Sequence, residues 1–117
     1  MLASENRLRR STDFQSVSRR GIRVSRSCLV IHVIPPPANS ALLTRVGLSV
    51  GKGVGGSVVR HRVARRLRSQ MRGLLGALPS GSTVVVRALP PAATASSRLL
   101  GEELVSALAS AATKLSR

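Results

Sequence analysis

The sequence has few acidic and almost no aromatic side chains. Its 117 residues include four aspartates or glutamates and a single aromatic residue, Phe14. A metal-dependent nuclease holds its cations with clustered carboxylates, whereas the only adjacent acids here are Glu102 and Glu103, whose side chains would diverge on a helix. These shortages argue against a metal-based active site made by the protein alone, and they predict an aliphatic core.

Cysteine and long apolar runs are also scarce. Cys28 is the only cysteine, which excludes an internal disulfide and a multi-cysteine zinc site. The β-branched stretch 28–34 is too short to span a bilayer, and the N-terminus lacks the charged-then-apolar layout of a signal peptide. We therefore expect a reducing, cytoplasmic location and no membrane association.

Positive charge is present in large excess. Nineteen lysines and arginines against four acids give a formal charge of +15 and a pI near 12.0. Such a chain repels itself unless a polyanion is present, so nucleic acid is the expected partner. Lysine occurs only at Lys52 and Lys114; arginine suits RNA phosphates and bases, although a coding bias toward arginine and alanine explains the skew equally well.

Length and hydrophobic content indicate one folded domain, residues 1–117. A hydrophobic fraction of 43% is too high for a disordered basic tail. The chain can enclose one core and leaves little room for a second.

A glycine-rich loop followed by an arginine-rich helix is the most informative stretch. Apolar residues at three- and four-residue spacing predict an amphipathic helix: Val59, Val63, Leu67, Met71, Leu74 and Leu78. A rotation of about 100° per residue predicts that the opposite side carries Arg62, Arg65, Arg68 and Arg72. One side should pack against the core and the other should be cationic.

The start of this helix is electrostatically unfavourable. Arg60 and Arg62 lie near the positive end of the helix dipole, at a cost of a few tenths to about 1 kcal/mol each. A bound phosphate would remove that cost, because it also accepts from the free N–H groups at a helix start. We therefore predict a phosphate-binding face, with Ser57 or Gly56 as the cap. A solvated basic face is the simpler alternative.

The remaining elements are predicted from capping and periodicity. Thr12 and Gln15 form a capping box for a short helix that ends before Gly21. A short and a longer strand are expected within 22–34, further strands over 44–50 and 82–89, and a helix from about 96 to 115. The order α-β-β-β-α-β-α predicts a small two-layer α+β sandwich that contains a βαβ unit.

The two histidines do not form a convincing catalytic pair. His32 and His61 lie on separate predicted elements, and neighbouring arginines disfavour protonation of His61. We interpret His61 as an RNA contact and His32 as a strand residue. The loop at 51–57 places its lysine too early for a Walker phosphate loop, so no free-standing active site is predicted.

The same residues resemble the signature of the bacterial ribonuclease P protein component. The resemblance rests on Arg45–Val50, Lys52, Val54, Gly55, Val58, Arg60–Arg62 and Arg65–Arg68. Asn6–Leu8, Asp13 and Phe14 extend it over nearly the whole chain. It implies a subunit that binds a catalytic RNA and the 5′ leader of precursor tRNA. The RNA would perform the hydrolysis with magnesium ions, and neither a protein partner nor a metal ion held by the protein itself is expected.

The resemblance also assigns residues and a fold detail. It places at the catalytic-RNA interface Lys52, Arg60, His61, Arg62, Arg65, Arg66 and Arg68. It places in the leader cleft Phe14, Ser18 and His32. It implies a left-handed βαβ crossover, against the usual right-handed rule.

The chain departs from the family pattern at several positions. Arg-His-Arg replaces the usual Arg-Asn-Arg at 60–62, Gly56 replaces a common asparagine and Gly53 a common second lysine. Ser18 and His32 occupy positions where aromatic residues are frequent. A ribosomal or other structural RNA-binding protein is the alternative reading of the same charge and fold.

Overall fold

The computed structural model describes residues 21–36 and 43–115, and this part of the chain forms four strands and two α-helices. The strands are β1 (Ile22–Ser25), β2 (Leu29–Ile34), β3 (Arg45–Ser49) and β4 (Thr83–Ala88). The helices are α1 (Ser57–Arg72) and α2 (Ser97–Leu115). The helix predicted to begin near Thr12, with Phe14 and Ser18, lies outside the described residues.

The four strands form one mixed sheet in the order β1-β2-β4-β3. β2 pairs antiparallel with both β1 and β4, while β3 lies parallel to β4. Because α1 connects two neighbouring parallel strands, the predicted βαβ unit and the α+β class are confirmed. The handedness of this crossover stays a prediction.

Both helices pack on one face of the sheet and enclose an aliphatic core. α1 contributes Val63, Leu67 and Met71, and α2 contributes Leu100, Leu104 and Leu108, all at most 1% exposed. The sheet meets them with Leu29, Ile31, Val33, Val84 and Val86. Burial of one such side chain is worth about 1.5–3 kcal/mol, so this layer fixes where α1 lies.

α1 is shorter than its apolar pattern predicted. The stripe suggested a helix that includes Leu74 and Leu78, but α1 ends at Arg72 with Gly73 as its C-cap. The Leu74 N–H donates to Met71 O at 2.9 Å, an i−3 bond that tightens the last turn. Leu74 and Leu78 still pack against the core, because the chain continues across it through a short 3₁₀ turn, Leu75–Ala77.

The loop before α1 is held close to the helix at Gly55. This residue has φ +157°, and a Cβ built on it would lie 2.9 Å from Cγ1 of Val59. A side chain at this position would therefore overlap the first turn of α1. At Gly53, in the same loop, a Cβ would have no atom within 4 Å.

We predict that Gly55→Ala destabilises the protein by about 1–3 kcal/mol, through backbone strain and displacement of Val59. Gly53→Ala is the matched control and should change stability by no more than about 0.5 kcal/mol. Denaturant unfolding of both variants measures the difference. Equal stability of the two variants would mean that the loop does not need the close approach at Gly55.

Candidate nucleic-acid interface

The start of α1 has no side chain that satisfies its free N–H groups. Gly56 is the N-cap, in an extended conformation, with no capping side chain and no acid in the first turn. The first helical bond runs from Arg60 N–H to Gly56 O at 2.9 Å, so the N–H groups of Ser57–Val59 have no acceptor within the helix. The predicted cap at Gly56 is confirmed, and no acid in the first turn offsets the positive end of the dipole.

The outer side of α1 carries a row of basic residues. We use the name docking face for Lys52, in the loop before α1, together with four residues of the helix: His61, Arg65, Arg68 and Arg72. Lys52, His61, Arg65 and Arg72 are exposed and Arg68 is partly exposed; the four helical members share one side at about 100° per residue. Within 21–36 and 43–115, no carboxylate pairs with an arginine of α1; the ion pair found there joins Arg98 to Glu102 at 3.0 Å.

Arg62 and Arg66 do not project with the docking face. Both are partly buried, and they lie on the flank of α1 that faces the segment leading into α2. Arg62 Nη2 donates to Ala93 O at 3.2 Å, and Arg66 Nη1 donates to Ala95 O at 3.1 Å. The prediction that Arg62 lies opposite the packing side was wrong, because helical periodicity does not show which segment passes along a flank.

Arg60, in the first turn of α1, is three and seven residues before the buried Val63 and Leu67 and is also partly buried. The Nε atoms of Arg60 and Arg62 are buried without a hydrogen-bond partner among the described residues. A buried donor left unsatisfied costs about 1–3 kcal/mol. Folding stability alone therefore does not explain why arginine occupies both positions.

The two adjacent acids of α2 serve the fold. Glu102 pairs with Arg98, while Glu103 accepts from the Ser27 hydroxyl and, at 2.8 Å, from the Cys28 N–H. Their predicted divergence is confirmed.

No group of three or more histidine, cysteine or acidic residues is close enough to hold a metal ion in the described ranges. No helix in this part of the chain is long and apolar enough to cross a membrane.

On the sheet face turned away from α1 and α2, two exposed arginines lie near a buried histidine. Ile31 and Val33 pack toward the helices, so strand alternation places His32 on the opposite face. His32 is paired with Arg23 of β1 and lies beside Arg87 of β4, both of which are exposed. Sequence reasoning did not single out these two arginines, although Arg23 alternates with the buried Val24.

His32 is buried among positive charges. It is 8% exposed, and its Nδ1 has no hydrogen-bond partner within the described chain. Burial first, then the charges of Arg23 and Arg87, lower the pKa of His32 below its ordinary value. The imidazole is therefore neutral near pH 7, as expected for the strand residue that the sequence suggested. His32 lies on β2 and His61 on α1, which confirms that the two histidines are on separate elements.

Comparisons with known proteins show which family this chain belongs to. The family model for ribonuclease P matches residues 2–112. The chain is 49% identical over 114 residues to the ribonuclease P protein component of Streptomyces avermitilis, covering 92% of this chain and 93% of that protein. For the Mycobacterium avium protein component the identity is 46% over 106 residues, with 89% of each chain covered.

Two solved structures share the fold. The Staphylococcus aureus RNase P protein superimposes with a TM-score of 0.76 at 22% identity, covering 88% of this chain and 92% of that one. The Thermotoga maritima protein gives a TM-score of 0.75 at 21% identity, covering 89% and 96%.

We predict that the free protein loses stability below about pH 6.5, the ordinary histidine pKa. Because folding lowers the pKa of His32, the unfolded chain takes up a proton first as the pH falls, and stability decreases until the folded pKa is passed. Denaturant unfolding from pH 8 to pH 5 measures this slope. His32→Gln should flatten it, and an equal slope in both proteins would show that His32 is not its source.

Proposed function

We propose that this chain, which belongs to the ribonuclease P protein family, binds the catalytic RNA of ribonuclease P and the 5′ leader of precursor tRNA. Family membership makes the chain the protein component of a ribonucleoprotein endoribonuclease that processes tRNA. The observation that carries the finer proposal is the docking face, whose helical members run from the first turns of α1 after its uncapped start to its last residue and pair with no carboxylate of the described chain.

The docking face suits the phosphates of a folded RNA. Arginine offers planar, paired donors to phosphate oxygens, and the free N–H groups of Ser57–Val59 add donors at the positive end of the helix dipole. Lys52 precedes this helix start in an exposed position. Each phosphate bound releases condensed counterions, so affinity should fall as salt rises.

The sheet face around His32 suits the leader strand. Arg23 and Arg87 supply positive charge for a single-stranded backbone. Family resemblance adds Phe14 and Ser18 to this cleft. Since Phe14 is the only aromatic residue of the chain, leader binding relies more on arginine than on stacking.

The reaction itself is assigned to the RNA subunit. We propose that magnesium ions of the holoenzyme supply the Lewis-acid chemistry, held by the RNA. The protein neutralises phosphates that would otherwise repel one another, and so helps the RNA keep its active geometry at a lower magnesium concentration. No residue of this chain is proposed to touch the reacting phosphodiester.

Reconstitution tests the proposal directly. A bacterial ribonuclease P RNA and a precursor tRNA are incubated at low magnesium with and without the protein, and removal of the 5′ leader is scored. We expect leader removal to rise several-fold when the protein is added, because it replaces part of the magnesium requirement, and no cleavage by the protein alone.

Two results would contradict this function. Unchanged leader removal, with retention of ribosomal RNA by the purified protein, would indicate a structural RNA-binding protein. Cleavage of RNA by the protein in the absence of the RNA subunit would indicate a free-standing nuclease.

A further inference from the structure

Three side chains on one flank of α1 bind the backbone that leads into α2. Arg62 donates to Ala93 O at 3.2 Å and Arg66 to Ala95 O at 3.1 Å. One helical turn further on, Gln70 Nε2 donates to Ser97 O at 3.1 Å. We call this set of three hydrogen bonds the flank ladder.

The flank ladder has a regular geometry. Its donors are four residues apart, so they lie on one side of the helix and span about 12 Å along its axis. Its acceptors are the carbonyls of alternate residues, from the end of the short 3₁₀ turn Pro90–Ala93 to the first residue of α2. A continuous segment of backbone therefore runs alongside α1 and is held at three points.

The segment held by the ladder is firmly attached to the rest of the molecule. Ala92 is fully buried and Ala95 is 7% exposed, and the Ser96 hydroxyl caps α2 by accepting from the Leu99 N–H at 3.0 Å. At the far end of the ladder, a Cβ on Gly101 would lie 2.8 Å from Oε1 of Gln70. The two helices approach closely there, so the ladder ties α1 to a fixed part of the fold.

The arginines of the ladder differ from those of the docking face in what they contact. Arg65 is exposed and pairs with no carboxylate of the described chain, so its donors are available to a phosphate. Arg62 and Arg66 are partly buried and are oriented by backbone carbonyls. A guanidinium held by a carbonyl on its inner side fixes the helix that carries it, whether or not RNA is present.

We propose that Arg62 and Arg66 are positioning residues that fasten α1 to segment 93–97 and so hold the docking face in its RNA-binding arrangement. Gln70 performs the same role without a charge. The inference rests on the proposed function, because it assigns to these two arginines a part in RNA binding that acts through α1 rather than through a phosphate contact of their own.

The test compares Arg66→Met with Arg65→Met in the full chain. Affinity for a bacterial ribonuclease P RNA is measured at several salt concentrations, and the Tm of each free protein is recorded. Log affinity falls linearly with log salt, and loss of one phosphate contact makes this negative slope shallower by about one. Arg65→Met should show this loss of slope with an unchanged Tm.

Arg66→Met should behave differently. We expect the Tm to fall by roughly 2–8 °C and the RNA affinity to fall by a factor of about 2–10. The salt slope should stay that of the wild-type protein. A slope reduced by about one in Arg66→Met, whatever its Tm, would overturn the inference.

Gln70→Met keeps the inference testable if Arg66→Met does not fold. It removes a rung of the ladder and no charge, so we expect a lower Tm and weaker RNA binding at an unchanged slope. Unchanged RNA affinity would overturn the inference. Arg98→Met, on an arginine with an 88% exposed side chain, is the control for loss of charge and should keep the wild-type affinity. Failure of the wild-type protein to bind the RNA would instead refute the proposed function.

Discussion

The free protein carries a large excess of positive charge that its own acids do not neutralise. The chain has 19 basic and four acidic residues, and the two acids on α2 are already engaged: Glu102 with Arg98 and Glu103 with the turn between β1 and β2. The arginines of α1 therefore repel one another in the free protein. Apolar packing of Val63, Leu67 and Met71 holds α1 in place despite this repulsion, and a polyanion would relieve it.

The charged residues of the two helices make different contacts. α2 is anchored to the β1–β2 hairpin, where Arg26 donates to the Ser106 and Ser110 hydroxyls at 3.0 and 2.9 Å and Glu103 accepts from the Cys28 N–H. α1 presents the docking face and contacts α2 through the core and the flank ladder. The charged helix is thus supported by a helix whose own charges are used within the fold.

Much of the fold could be predicted from the sequence, because it depends on local patterns. Alternation predicted β3 to within one residue at each end, and three- and four-residue spacing predicted the buried side of α1. The end of α1 was not predicted, because Leu74 and Leu78 continue the apolar pattern, although glycine directly after Arg72 is a common helix stop.

The candidate site was predictable only where it depends on local patterns of the sequence. Exposed cations such as Arg65 follow from helical periodicity alone. The carbonyl contacts of Arg62 and the place of Gln70 in the ladder do not, because they depend on where segment 93–97 lies in three dimensions. Arg23 and Arg87 were missed as neighbours of His32, since only strand pairing brings β1 and β4 beside β2.

Tethered cleavage, in which a chelate on the protein cuts nearby RNA, tests whether the start of α1 faces the catalytic RNA. Cys28 is 2% exposed and burial raises the pKa of its thiol, so an introduced cysteine can be labelled selectively with an iron chelate. Val58 and Val105 are 78% and 53% exposed, and Val58→Cys and Val105→Cys form a matched pair on α1 and α2. If the start of α1 faces the RNA, a chelate at position 58 should cleave the ribonuclease P RNA locally and one at position 105 should cleave it little. Equal cleavage from both positions, or cleavage from position 105 alone, would contradict this orientation.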